Sequence, residues 1–141
     1  MISDPRAAEG LGCFFYRSTA VPHLNRGDLD DILRVAGLRN RSLSLTGCLH
    51  YEDGLFFQWL EGPPLGLGQV VASIKADPRH EALTVLGDGP LDLRRFQDWS
   101  MRFSDRDKAS LLDWFAQGDS STVDRQDYAC GVLSFLMSIA T

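Results

Sequence analysis

Hydrophobic and polar positions along this chain follow two periods, and the switches between them mark its elements. Leu11 to Ser18 alternates: Cys13 and Phe15 share one face, and Phe14, Tyr16 and Ser18 share the other, as side chains of a strand must. Val21-Pro22 breaks the run. Leu29, Ile32, Leu33 and Ala36 then fall at i, i+3, i+4 and i+7 and predict a helix opened by Asp28. One turn further, the same stripe reaches Arg39 and Asn40, so two polar residues finish an apolar face. Leu43 to Tyr51 reads as a second strand, Glu52-Asp53-Gly54 as a hairpin turn, and Gly54 to Gly62 as a third strand. The third strand carries Phe56 and Leu60 on one side and Leu55, Phe57 and Trp59 on the other, which predicts a sheet covered on both faces.

Gly62-Pro63-Pro64 ends that strand, and a second helix follows with Leu67, Val70, Val71 and Ile74 on one stripe, stopped by Asp77-Pro78. Ala82 to Leu86 reads as a fourth strand, Gly87-Asp-Gly-Pro90 as a turn, and Phe96 to Phe103 as a fifth strand with Trp99 and Met101 on one face. Two helices finish the chain. The first is capped by Ser104-x-x-Asp107, turns Leu111, Leu112 and Phe115 inward and ends at Gly118; the second runs from about Arg125, with Tyr128, Leu133, Leu136, Met137 and Ala140 apolar. The order strand, helix, strand, strand, helix, strand is the split βαβ, ferredoxin-like pattern, here α+β with one extra strand, βαββαββ. The first two helices should cover one sheet face and the tail pair the other. The expected organisation is a flexible arm over residues 1–10, a domain over 11–103 and a helical extension over 104–141.

Size and charge narrow the class. The chain has 141 residues, enough for one domain with its own core. Its net charge of −5 argues against a nucleic-acid footprint. Cys13, Cys48 and Cys130 are odd in number and lack CxxC spacing, which argues against a disulfide framework or zinc site and for a reducing, cytoplasmic location. Met1-Ile-Ser-Asp-Pro lacks the blocks of a signal peptide, and the apolar run Val132 to Ala140 falls short of the roughly 20 residues that span a bilayer, so no membrane is expected.

The chemistry concentrates on one strand position. Gln58 sits between Phe56 and Leu60 in an otherwise apolar row. A buried amide without partners costs about 1–3 kcal/mol, so Gln58 must be bonded to something. If the first and third strands are neighbours, Tyr16 stands beside it. From spacing alone, a Tyr–Gln hydrogen bond that fixes strand register explains the pair, and a helix C-terminus explains Arg39 and Asn40; the sharper reading has Arg39 and Asn40 meeting the polar edge of something bound beneath the helix. His23, His50 and His80 are scattered without HxxxH spacing, which gives no metal site. Cys13 and Cys48 read as inert core thiols, and Asp77 with Arg79 as an ion pair at a turn. Gly66 and Gly68 open the second helix as a Gly-x-Gly, but Val71 stands where a dinucleotide fingerprint needs a third small residue, so they read as sites of close backbone approach.

Taken together, Phe15-Tyr-Arg-Ser-Thr-Ala20, Asp28-Leu-x-x-Ile-Leu33, Asn40, Leu45-Thr-Gly47, Tyr51-x-x-Gly54, Phe57-Gln-Trp-Leu-Glu-Gly62, Ile74-x-x-Asp-Pro-Arg-His80 and Phe96-x-Asp-Trp-Ser-Met101 resemble the BLUF domain, the blue-light sensor using FAD. The resemblance covers residues 11 to 103. It implies a flavin between the two helices on one sheet face, normally FAD, with FMN or riboflavin able to replace it in recombinant material. It gives Tyr16 and Gln58 as the photoactive pair, and Asn40 and Arg39 at the polar edge of the ring. It also gives Ser18, Ile32 and Ile74 in the pocket, Arg79 and His80 near the pyrimidine side, and Trp99 and Met101 as the signal relay. The mechanism it implies is light-driven loss of an electron and then a proton from Tyr16, followed by rearrangement of the Gln58 amide. The protein would then be a photoreceptor and not an enzyme, a short sensor without a fused output domain, acting on a separate effector protein and open to homodimerisation. The competing readings are a small ferredoxin-like hydrolase of the acylphosphatase kind, using Arg17 or Arg39 with Asn40, and a cofactor-free dimerising module.

Overall fold

The computed structural model describes residues 10–97, 101–105, 109–117 and 125–139. Its elements are β1 (Leu11–Ala20), α1 (Arg26–Ser42), β2 (Thr46–Glu52), β3 (Leu55–Gly62), α2 (Pro64–Ala76), β4 (His80–Leu91), β5 (Arg102–Asp105), α3 (Leu111–Gln117) and α4 (Arg125–Ile139). The five strands form one sheet in the order β4-β1-β3-β2-β5. The neighbours are antiparallel except β2 and β5, which run parallel. This is the expected α+β, ferredoxin-like arrangement with an extra strand at the β2 edge.

Local chemistry explains most boundaries. Asn25 caps α1 by accepting the Asp28 N–H at 2.8 Å, and the Asp28 carboxylate accepts the Asn25 N–H at 3.2 Å. Asp28 is therefore the third residue of a capping box and the helix starts two residues before it. At the other end α1 runs past Arg39 and Asn40 to Ser42, and Leu43 holds the C-cap. Asn40 is fully buried inside the helix, so the helix-end explanation of that residue fails. Asp53 and Gly54 are both left-handed, with φ of 52° and 79°, the turn that matches strand twist in a two-residue hairpin. Gly47 lets β2 reach β3: a Cβ there would lie 2.0 Å from the Trp59 carbonyl oxygen. Gly66 packs closely on Leu43, whereas Gly68 faces open space, so close approach accounts for only the first of the two.

Four expectations about the later strands and the tail need correction. The strand expected at 82–86 runs on through Gly87 to Pro90, because Leu11 to Phe15 of β1 pair with that stretch and offer ladder bonds that outweigh its turn chemistry. Pro90 is tolerated there because β4 is an edge strand. Similarly, β5 is shorter and later than 96–103: Phe96 is fully buried but outside a strand, and only Arg102–Asp105 pair with β2. Ser104 lies in β5 and not at a helix cap; the residue before α3 is Ser110, whose hydroxyl accepts the Asp113 N–H at 3.2 Å. Leu112 is 57% exposed and does not face inward. Asp107, Gly118, Ala140, the Phe115 side chain and the 1–9 arm lie outside the described residues.

The two sheet faces carry separate cores. Phe14, Tyr16, Leu60, Val70 and Ile74 pack under α2, with Leu29, Leu49 and Phe56 under α1. On the other face Phe15, Phe57, Trp59 and Phe96 meet Val132, Phe135 and Leu136 of α4. The tail thus covers the second face as expected, though Val132 and Phe135 were not among its anticipated anchors. No helix among the described residues is long and apolar enough to cross a membrane.

Candidate functional site

Strand pairing builds the centre of the site. Tyr16 on β1 and Gln58 on β3 are direct cross-strand partners, and the period of two points both side chains to the α1–α2 face. The Tyr16 hydroxyl donates to Gln58 Oε1. Gln58 Nε2 donates in turn to Met101 Sδ at 3.7 Å. The buried amide is therefore bonded at both ends. Tyr16 is 4% exposed, and burial pushes its phenol well above the usual range against the pull of the Arg39 charge. At neutral pH the hydroxyl keeps its proton and is a donor. Met101 faces Gln58 directly; Trp99 lies outside the described residues.

Above this pair lies a cleft between α1 and α2 that opens to solvent. Tyr16, Ile32, Arg39, Gln58, Ile74, Arg79 and His80 line it, together with Val35, Ala36, Leu49, Phe56, Ser73 and Asp77. Phe56 was readable as the neighbour of Gln58 on its own face; Ser73 and Leu49 carry no pattern that would have singled them out. Ser18 and Asn40 are fully buried but do not line the cleft.

Arg39 Nε is buried and has no hydrogen-bond partner among the described residues. Burial holds its pKa below the ordinary arginine value, against attraction from Tyr16 and Asp77, yet guanidinium remains charged. A buried cationic donor beside an open cleft suits a ligand with acceptor atoms. His80 is fixed from two sides: Nε2 lies 2.6 Å from the Ile74 carbonyl and Nδ1 2.6 Å from Ser18 Oγ. A carbonyl only accepts, so Nε2 carries hydrogen, and Nδ1 meets the Ser18 hydroxyl. Ser18 thus reaches the site through His80. Arg79 grips Asp77 through Nε at 3.0 Å and Nη2 at 2.9 Å, and reaches Asp31 of α1 through Nη1 at 3.1 Å. The hydrogen bond to Asp77 raises its pKa further.

Of the residues open to the hydrolase reading, Arg17 lies on the tail side, its guanidinium 5.6 Å over the Tyr128 ring, and only Arg39 lines the cleft. Among the described residues no cluster of His, Cys, Asp or Glu could hold a metal ion. Burial pushes the Cys48 thiol up to about 12 and the Cys13 thiol upward as well, as inert core thiols require.

Residues 11–102 match the family described as BLUF, sensors of blue light using FAD. The chain belongs to the BLUF family. It is 39% identical over 94 residues to the beta subunit of a photoactivated adenylate cyclase from Euglena gracilis, covering 67% of this chain and 11% of that subunit. The chain therefore spans about a tenth of the length of that relative. It superimposes on BlrB, a BLUF protein in its dark state, with a TM-score of 0.73 and 31% identity over 91% of this chain and 98% of that one. The BlsA ground state gives a TM-score of 0.76 and 28% identity, covering 90% of this chain and 87% of BlsA. The BLUF domain is a sensor module whose cofactor is FAD, and this protein is a flavin-binding blue-light sensor. The cleft fits that cofactor: apolar walls from Ile32 and Ile74 suit a flat ring, and the buried Arg39 donor suits its polar edge.

Proposed function

We propose that Tyr16 and Gln58 are the photoactive pair of this sensor and that Met101 receives their signal. The observation that carries this reading is the chain of two bonds from Tyr16 through Gln58 to Met101 on the floor of the cleft. Ile32 and Ile74 hold the faces of the ring, Arg39 its polar edge, and Arg79 and His80 its pyrimidine side, with Ser18 orienting His80 and Asn40 buried behind the cleft wall.

Bound flavin supplies the light-absorbing ring, an electron acceptor once excited. Tyr16 is the chain's electron donor. Its proton already points at Gln58 Oε1, so loss of an electron, which makes a phenol strongly acidic, sends the proton along that bond. Gln58 can donate from one end and accept at the other; it reverses its amide by rotation or tautomerisation, and the electron and proton return to Tyr16, which regains its hydroxyl. On rotation, oxygen and nitrogen exchange places. The Tyr16 hydroxyl faces a donor, Met101 Sδ loses its N–H, and the cleft gains a differently placed donor. Each exchanged bond is worth about 1 kcal/mol, enough to bias a two-state element. The output runs from Met101 into β5 and the tail helices, toward an effector protein; any catalysis belongs to that effector. Relatives named as photoactivated cyclase subunits support reading the domain as the light-sensing part of such a pair.

The test is spectroscopic. Tyr16→Phe should still bind flavin yet show no light-induced red shift, and Gln58→Leu likewise. A normal red shift in either variant removes that residue from the photoactive pair.

A further inference from the structure

Two buried carboxylates on the tail side of the sheet take up the backbone on either side of Met101. Glu61 of β3 is fully buried. Its Oε1 accepts from Trp59 Nε1 at 2.9 Å and the Arg95 N–H at 2.8 Å. Its Oε2 accepts from Thr46 Oγ1 and the Phe96 N–H, both at 2.8 Å. Glu52, at the end of β2, is 3% exposed. Its Oε1 accepts the Leu111 N–H at 2.6 Å and lies 2.8 Å from His50 Nε2, and its Oε2 accepts from Ser110 Oγ at 3.0 Å and the Leu112 N–H at 3.3 Å. His50 is itself fully buried, its ring edge-on to Phe135 of α4 at 4.8 Å.

Ordinary anchoring does not require this arrangement. Burying a carboxylate is expensive unless every lone pair is satisfied, and a loop can be pinned more cheaply by neutral groups. Here the same costly device appears twice, once before Met101 and once after it, and each carboxylate holds main-chain N–H groups of the segment that carries the relay. A carboxylate can only accept. It cannot trade partners by turning, as the Gln58 amide can.

We propose that Glu61 and Glu52 are positioning residues of the photoswitch: Glu61 is the fixed point behind Met101, and Glu52 with His50 is the clasp through which a shift of Met101 reaches α3 and α4. The proposal rests on the role proposed for Gln58 and Met101. With Arg95 and Phe96 held to β3, a displacement of Met101 has no outlet back into β4 and passes forward through β5 to the N-terminus of α3. The rearranged Gln58 returns against the segment that these carboxylates hold, so weakening either one should alter how fast it returns, although neither carboxylate touches the cleft.

The measurement is the dark-recovery rate of the red-shifted state in flavin-loaded Glu61→Gln and Glu52→Gln, with Leu136→Ala as the comparison. Leu136 is fully buried in α4, so this variant loosens the tail without touching either carboxylate. The expected result is an unchanged dark absorption maximum and a full red shift in all three, with recovery altered several-fold in the two Gln variants only. Amide hydrogen exchange on flavin-free protein supplies a second readout: residues 94–97 should exchange faster in Glu61→Gln, and residues 111–113 in Glu52→Gln. Wild-type recovery in both Gln variants, or an equal change in Leu136→Ala, overturns the proposal while leaving the Gln58 reading intact. A red shift that persists in Gln58→Leu removes that reading, and this proposal with it.

Discussion

The two faces of the sheet bury polar groups of opposite character. Under α1 and α2 the polar centre is a neutral amide, Gln58, flanked by a phenol and a thioether. Under α3 and α4 it is two carboxylates, Glu61 and Glu52, saturated by backbone N–H, hydroxyl and indole donors. An amide has a donor and an acceptor end of nearly equal size, so reversing it costs little more than two exchanged bonds. An ionised carboxylate has only acceptor sites, so any loss of a donor leaves charge poorly solvated. The chemistry of the first face suits a change of partners and that of the second suits keeping them. A switch needs both, because a movable group between movable neighbours transmits nothing.

The comparison can be broken first at packing. Phe135→Ala on the tail face should cost about 3–5 kcal/mol in denaturant unfolding while the light-induced red shift survives. If it abolishes the shift, the faces are not separable. Next, Gln58→Leu should cost about 1–3 kcal/mol through the unpaired Tyr16 hydroxyl yet remove the red shift entirely. Glu61→Gln should cost a similar amount, about 1–3 kcal/mol, because an NH₂ group replaces an acceptor facing two donors, while the shift remains. The smallest effect is on pH. Burial lowers the His50 pKa despite the nearby Glu52, Asp105 and the Ser104 backbone. The fold therefore favours neutral His50, the unfolded chain binds more protons just below the ordinary value of 6.5, and stability falls as the solution is acidified through that range. For Glu52, burial raises the pKa but the bonds from His50, Leu111, Leu112 and Ser110 outweigh it, so its carboxyl sits below the usual value. Its contribution is present above about 4.5 and is lost only at lower pH. His50→Phe should flatten the slope between about pH 7 and 5.5, a change of under about 1.4 kcal/mol per pH unit, read from denaturant midpoints.

How far the sequence carries depends on whether a position obeys a local rule. Tyr16 and Gln58 were readable because strand alternation, a local rule, fixes the face of each, and the ferredoxin-like strand order then puts them side by side. The Asp53-Gly54 turn was readable because few residues accept left-handed dihedrals. The course of β4 through Gly87 and Pro90 was not, since pairing to Leu11–Phe15 is a contact across the sheet that overrides turn preference. Arg39 and Asn40 show the limit from the other side. Spacing favoured a helix end, and only resemblance pointed to a cofactor; the helix then proved to run beyond them. Glu61 was missed although its signal matches that of Gln58, a polar residue two places from Trp59 on an apolar face. Its partners Arg95 and Phe96 lie far away in the chain, at the start of a stretch whose pattern reads as strand.

Arg79 has a consequence for the bound state. One guanidinium joins Asp77 beside α2 to Asp31 on α1, so the two walls of the cleft are riveted together along one rim. Asp31 and Arg79 are both partly exposed, within reach of dissolved ions that screen such pairs. The residence time of a bound flavin should therefore shorten as ionic strength rises, and the cofactor would depart on a schedule set by salt.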